Sequence, residues 1–279
     1  MSDRLLYRLI YPRPSVNRMQ FCERFKGRWV VITGASSGIG KALALLMIEA
    51  GANLFLIARR EEELQRLCQQ AKEKGCQAFF QATDLRDSET LDLLIKELRN
   101  KLPRLDYLFC NAGKSIHRHI VDAVDRMHDY DRTMAVNYRS MVALSLALLP
   151  LLRIGQQTGQ KGQIIYTSSI STLYPAAPGW SAYHASKSAA NVWCQTADTE
   201  LSKEGIHVKI AYMPLVHTPM SDVNPDYVNL PGYTAEDAAN ILLRLAMNGS
   251  RSYKPWWVSL SVPLASLFAP IIRFIYRYQ

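Results

Sequence analysis

Neither 57–60 nor 251–279 holds an acidic residue, and both gaps carry information. Other absences exclude whole classes. There is no CxxC pair and no Cys/His cluster. The five cysteines, Cys22, Cys68, Cys76, Cys110 and Cys194, are odd in number and scattered. That argues for reduced thiols in a cytosolic compartment and against a metal site. No internal repeat and no low-complexity segment occurs. A signal peptide is not expected, because Arg4 and Arg8 interrupt any apolar core near the N-terminus and no cleavage site follows. The tail offers no run of the about 20 apolar residues that cross a bilayer: its uncharged stretch from 256 to 272 falls short and contains Pro263 and Pro270.

What is present is a chain of 279 residues, 48% of them apolar, enough for one large domain with short extensions. Its net charge of +9 is unevenly placed. Residues 1–28 carry +5, residues 251–279 carry +4, and the body between them is neutral. A nucleic-acid-binding enzyme would carry its basic groups around its site. Basic, greasy ends on a neutral body point instead to an anionic membrane surface.

Between 29 and 250, short apolar strands alternate with helical patterns. The strands are WVVIT (29–33), NLFLIA (53–58), AFFQAT (78–83), DYLFCNA (106–112), QIIYTSS (163–169) and HVKIAYM (207–213), the last clear one. Helices follow in GIGKALALLMIEAGA, from about Glu61, near 87–101, through MVALSLALLPLL, and from about Ser181. Continuous rather than alternating apolar strands imply a parallel sheet covered on both faces. Right-handed crossovers then predict a doubly wound α/β domain.

The first strand runs directly into TGASSGIG, with Gly34, Gly38 and Gly40, and then into a helix. Glycines let backbone N–H groups approach a pyrophosphate, and the helix presents its positive end to the same anion. A plain glycine-rich turn is the bland alternative, and the strand–turn–helix context weighs against it. The second strand ends in IARREEEL. A carboxylate there would grip a ribose 2′-hydroxyl, whereas arginine would attract a 2′-phosphate. Arg59 and Arg60, with no acid at 57–60, therefore predict NADPH, Arg59 being the expected contact. Arginine at a helix start opposes the helix dipole, which favours a ligand as the reason over mere solvation.

The chemistry is expected in SSISTLYPAAPGWSAYHASK. Tyr183 and Lys187 stand four apart on one helix and share a face. A nearby ammonium is expected to lower the phenol below its ordinary value of about 10. The tyrosine could then exchange a proton with a carbonyl or hydroxyl oxygen while hydride moves. Ser169, ending the preceding strand, could hydrogen-bond that oxygen.

At this point the chain resembles the short-chain dehydrogenase/reductase family, over roughly residues 27–250. The ordered motifs are TGASSGIG, Asp84 after the third strand, NAG at 111–113, Asn137, Ser169, and Tyr183 with Lys187. The resemblance implies a Rossmann-type fold. It implies a catalytic tetrad of Asn137, Ser169, Tyr183 and Lys187, with Tyr183 as acid/base, Lys187 on the nicotinamide ribose, Ser169 on the substrate oxygen and Asn137 holding a water. It implies a cofactor site of Gly34, Ser36, Ser37, Gly38, Ile39, Gly40, Arg59, Arg60, Asp84, Leu85, Asn111, Ala112, Gly113, Pro214, Val216 and Thr218, with Tyr183 and Lys187. Three departures stand out: Cys110–Asn111 where two asparagines are usual, Pro214–Leu215 where Pro-Gly is usual, and one additional residue between Ser169 and Tyr183. NAGKSIHRHI, DYDRTMAVNY and AYMPLVHTPM look like the bacterial fatty acyl-CoA reductases built on this fold, and related lipid ketoreductases, such as 3-ketosphinganine reductases, share most motifs. A long-chain acyl thioester or keto-lipid substrate is thereby implied, as is a homodimer or homotetramer through the long helices flanking the fifth strand. A non-catalytic, membrane-tethered NADPH-binding module and a dehydrogenase of small or steroid-like alcohols are the alternatives. His117 and His119 could meet a charged head group, but read first as an exposed loop pair.

Three segments are expected: a basic amphipathic N-terminal extension (1–26), an NADP-binding catalytic domain (27–250) and an amphipathic membrane-associating segment (251–279). On a helix, Trp256, Trp257, Leu260, Leu264, Leu267, Phe268, Ile271, Ile272, Phe274 and Ile275 fall on one half. Ser259, Ser266, Arg273 and Arg277 fall on the other. With two prolines this predicts a broken helix lying on the cytoplasmic face of a membrane, peripheral or monotopic. Leu5, Leu6, Leu9 and Ile10 oppose Arg4 and Arg8 in the same way. Packing of both ends on the protein, or into a dimer, is the competing reading.

Overall fold

The computed structural model describes residues 9–277, with the exception of 157, 158 and 160. Arg4, Leu5, Leu6 and Arg8 of the expected N-terminal face lie outside the described residues.

The strands are β1 (Trp29–Thr33), β2 (Asn53–Ala58), β3 (Ala78–Ala82), β4 (Tyr107–Cys110), β5 (Gly162–Ser169), β6 (Ile206–Met213) and β7 (Ser252–Tyr253). They form one sheet in the order β3-β2-β1-β4-β5-β6-β7, every pair parallel. The α-helices of eight or more residues are α1 (Arg18–Phe25), α2 (Gly38–Glu49), α3 (Glu61–Glu73), α4 (Ser88–Lys101), α5 (Met127–Met134), α6 (Ser140–Gln156), α7 (Ser181–Leu201), α8 (Ala235–Met247), α9 (Val258–Leu267) and α10 (Ala269–Tyr276) among the described residues. The strands read as unbroken apolar runs because both faces are covered. Val30 and Ile32 of β1 pack with Leu43 and Met47 of α2 and Leu242 of α8. Trp29 and Val31 point the other way, into a layer with Leu94 of α4, Leu148 of α6 and Cys194 of α7. The strand order reverses between β1 and β4, so a crevice opens beyond their carboxyl ends, where open α/β sheets bind ligands.

The folded body continues past the two limits read from the sequence. Asn17 caps α1 by accepting from Met19 N and Gln20 N, and Phe21 and Phe25, one turn apart, are buried in the core. At the other end β7 pairs with Ile210 and Ala211 of β6. A two-residue strand is too short to show in any hydrophobic pattern. Among the described residues, one continuous helix, Met127–Gly155, is long and apolar enough to cross a membrane. It lies on the sheet with Leu144, Leu148 and Leu152 fully buried.

The tail is a broken helix, as expected, but the break falls before Pro270 alone, and Pro263 lies inside α9. α9 and α10 meet at Phe268 with a bend of 77°. Val258 is buried, while Leu260, Leu264, Leu267, Ile271, Phe274 and Ile275 are exposed. The tryptophans clasp the other end of the chain: Trp256 Nε1 donates to Leu9 O at 2.8 Å and Trp257 Nε1 to Ile10 O at 3.1 Å.

Candidate active site

β1 hands the chain to Gly34 at φ 72° and the turn ends at Gly38, φ 50°, a region only glycine enters freely. Gly40 is needed for space: a Cβ there would run into the Gly34 carbonyl and lie 2.8 Å from Asn111 Nδ2. Ser37 precedes α2 without a side-chain capping bond, so its hydroxyl leaves the first-turn N–H groups of that helix uncapped. Ser36 is buried, and Ile39 packs against the core and anchors the turn. Thr33, not singled out in the sequence, fastens the next strand end to this turn. Its Oγ1 accepts from Asn111 N at 3.0 Å and Ala112 N at 2.9 Å. Asn111 also meets Thr167 Oγ1 at 3.3 Å. The open helix terminus and a turn that excludes side chains fit a dinucleotide pyrophosphate.

The two arginines after β2 differ. Arg60 folds back onto the glycine turn, with Nη2 donating to Ser36 O at 2.5 Å and Nε to Ser36 Oγ at 3.3 Å. Arg59 is exposed and makes no hydrogen bond or ion pair among the described residues. Asp84, expected in the cofactor site, has its carboxylate held by Arg86, with Nη2 to Oδ2 at 2.5 Å. That hydrogen bond, more than the nearby Arg59, keeps its carboxyl below the usual range. Leu85 is buried against α4.

On the far side, Pro214 and Val216 are buried, and Val216 bridges to Tyr233. Thr218 N donates to Ser221 Oγ at 2.9 Å. The Thr218 side chain closes on the glycine turn: a Cβ on Gly38 would meet its Cγ2 at 3.0 Å.

Tyr183 and Lys187 share a face of α7 as expected, but their electrostatics differ from expectation. Lys187 is buried and its Nζ donates to Thr167 O at 2.8 Å, 4.7 Å above the Tyr166 ring. Burial lowers the ammonium to about 8. The Tyr183 phenol is raised rather than lowered. Desolvation beside Trp180, whose ring centroid is 5.9 Å away, outweighs the opposing hydrogen bond with Ser169. The lysine points its charge at a carbonyl, and so does not depress the phenol here.

β5 alternation separates the serines. Ser168 turns inward and donates to Asn191 Oδ1 at 2.6 Å. Ser169 Oγ lies 2.9 Å from Ser171 Oγ and accepts from Ser171 N at 3.2 Å. Within the Ser169–Tyr183 connection, Gly179 takes φ 77°, and its carbonyl accepts from Arg118 N at 2.7 Å. The exposed His117 and His119 rings lie 5.7 Å apart, and His117 also packs on Trp180 at 4.7 Å.

Asn137 is fully buried in a single π-helical turn, Ala135–Arg139, between α5 and α6. Its Nδ2 donates to Lys114 O and to Ser186 Oγ, both at 2.9 Å, and its Oδ1 accepts from Lys114 N at 2.8 Å. Both amide donors are therefore committed to protein, so the carboxamide pins the loop after NAG rather than presenting them to a water. Gly113 stands between the partners: a Cβ there would lie 3.4 Å from Asn137 Oδ1 and 3.5 Å from Lys187 Nζ. Thr33, Arg86, Thr167, Ser186 and Ser221 were not legible as site residues, because hydroxyl and guanidinium contacts across elements leave no spacing signal.

The model of the short chain dehydrogenase family matches residues 28–227. A fatty acyl-CoA reductase of Acinetobacter baylyi is 38% identical over 223 residues, 80% of this chain and 74% of that protein. A fatty acyl-CoA reductase of Mycobacterium tuberculosis is 32% identical, over 84% of this chain and 83% of its own. An 11-beta-hydroxysteroid dehydrogenase A of Sesamum indicum is 28% identical over 92% of this chain and 76% of its own. Among solved structures, an NADH-dependent reductase responsible for alginate metabolism superposes with a TM-score of 0.69 at 23% identity, covering 80% of this chain and 90% of that one.

Proposed function

This chain belongs to the short chain dehydrogenase family, and on that premise we propose that it is an NADPH-dependent reductase of a long-chain acyl thioester or keto-lipid carbonyl, working at the cytoplasmic face of a membrane. The observation that carries the reading is the convergence of Ser169, Tyr183 and Lys187 beside the glycine turn in a chain 38% identical to a fatty acyl-CoA reductase.

When bound, the nicotinamide supplies the hydride. The chain's own groups do the rest. Tyr183, a phenol that burial raises further above neutral pH, holds its proton there and can donate it to the oxygen of the carbonyl being reduced. The Ser169–Ser171 hydroxyl pair orients the same oxygen. Lys187, with one N–H on Thr167 O, keeps others for a ribose hydroxyl. Arg59, exposed and unengaged, supports the preference for a 2′-phosphate. Asn137 holds the Lys114 main chain and so the shape of the NAG loop.

Membrane attachment is supported by the tail, basic and without an acid from 251 to 279, with its exposed apolar helices clasped to the N-terminal segment by two indole N–H bonds. In this reading 27–250 is the catalytic domain and the end segments attach it to the bilayer. A second reading, a dehydrogenase of steroid-like alcohols, is favoured by the likeness to the Sesamum enzyme over 92% of this chain. Following NADPH oxidation with palmitoyl-CoA, a 3-keto-lipid and a keto-steroid separates them. Turnover of the keto-steroid alone would replace the acyl reading, and turnover of none but a small polar ketone would remove the lipid part.

A further inference from the structure

Tyr174 lies in the connection that carries the chain from Ser169 to Tyr183, and Ser261 lies in α9, 87 residues further on. Their hydroxyls meet at 2.5 Å, both side chains half-buried. Tyr174 in turn is fixed near the site, its N–H donating to Ser171 O at 3.4 Å, and Ser171 is bonded to Ser169. A chain of contacts thus runs from α9 to the oxygen-orienting serine. The start of α9 is held as well, by buried Val258 and by the Trp257 bond to Ile10 O. This helix is therefore seated against the active-site loop and is no loose appendage.

Helical spacing fixes what accompanies Ser261. Residues three, four and seven further along share its face, which are Leu264, Ala265 and Phe268. Leu264 is 56% exposed and Phe268 49%. An apolar strip therefore begins at the hydroxyl that touches Tyr174 and leads away from the site. Polar contact at one end and bare hydrocarbon beyond it suit a ligand with a reacting head and an alkyl tail.

We propose that α9 is a wall of the substrate site: the Tyr174–Ser261 bond latches it to the active-site loop, and Leu264 and Phe268 seat the alkyl chain of the substrate. The inference rests on the acyl-substrate reading above and adds that the tail selects chain length as well as attaching the protein. Tyr174 and Ser261 are positioning residues, acting through the loop and the helix.

The test compares butyryl-CoA with palmitoyl-CoA on the full-length protein without vesicles, in Tyr174→Phe, Ser261→Ala and Leu264→Ser variants. Losing the hydroxyl bond should raise KM for the palmitoyl thioester roughly five- to tenfold. Losing the leucine surface should raise it roughly ten- to a hundredfold. KM for the butyryl thioester and kcat for both should stay unchanged. A fluorescent long-chain fatty acid, which needs no turnover, should bind the wild-type protein and be weakened by the same factors. Equal KM shifts at both chain lengths, no shift at all, or no binding of the fatty acid would each overturn the wall. So would a Leu264→Ser variant that loses only sedimentation with anionic vesicles, since the strip would then be a bilayer contact. Binding of the fatty acid without turnover of any acyl thioester would instead remove the acyl-thioester reading and leave the wall standing.

Discussion

At the scale of single residues, the charge state of Lys187 sets a pH profile. Its depressed value of about 8 means that the ammonium is present below that pH and lost as pH rises through it. Carbonyl reduction should therefore be level below about 8 and fall above it, while Lys187→Ala should be slower throughout and lack that fall. A wild-type profile unchanged up to pH 10 would show that the lysine charge is not used. Cofactor choice is the second residue-scale matter. Arg59→Asp should reduce preference for NADPH over NADH by roughly ten- to a hundredfold, the value of a bidentate arginine–phosphate contact of about 1.5–3 kcal/mol. Loss of preference only on changing Arg60 would move the role to the guanidinium now resting on Ser36. The identities of Tyr183, Lys187 and Ser169 were legible because order and spacing mark them. Their protonation was not, since burial beside Trp180 depends on a loop whose path the sequence does not state.

Elements explain why the site holds together. The turn between β1 and α2 works because Gly40 packs against the Gly34 carbonyl, so Gly40→Ala must displace the turn and should abolish cofactor binding measured by titration, more than it lowers thermal stability. Thr33→Val removes the acceptor for two N–H groups of residues 111 and 112, and should cost about 1–3 kcal/mol in chemical denaturation. A Thr33→Val protein as stable as wild type would mean that the NAG loop is held by other contacts. The six longer strands were readable as apolar runs, because parallel strands covered on both faces leave no polar alternation. β7 was not, having two residues and owing its place to pairing with β6. The helical break in the tail was readable from Pro270, at the start of α10, while Pro263 sits inside α9 without breaking it; the Tyr174–Ser261 contact joins parts of the chain that no local pattern connects.

For the whole molecule, the proposed attachment to a lipid surface rests on the charge map and the apolar tail. Replacing Leu267, Ile271 and Phe274 with glutamate puts three anions on the exposed side of α9 and α10. The triple variant should stop sedimenting with anionic vesicles and keep its turnover of a butyryl thioester. Wild-type protein that stays in solution beside such vesicles would mean that these helices meet protein instead. The most direct test of the account remains the reaction itself, in wild-type and Tyr183→Phe protein, following NADPH oxidation and aldehyde formation from palmitoyl-CoA. Wild-type protein should yield aldehyde, and Tyr183→Phe should bind NADPH undiminished with turnover lower by about 10²–10⁴-fold, the usual contribution of a positioned proton donor. Undiminished turnover in Tyr183→Phe, or a wild-type protein that consumes NADPH with no lipid carbonyl, would contradict the account.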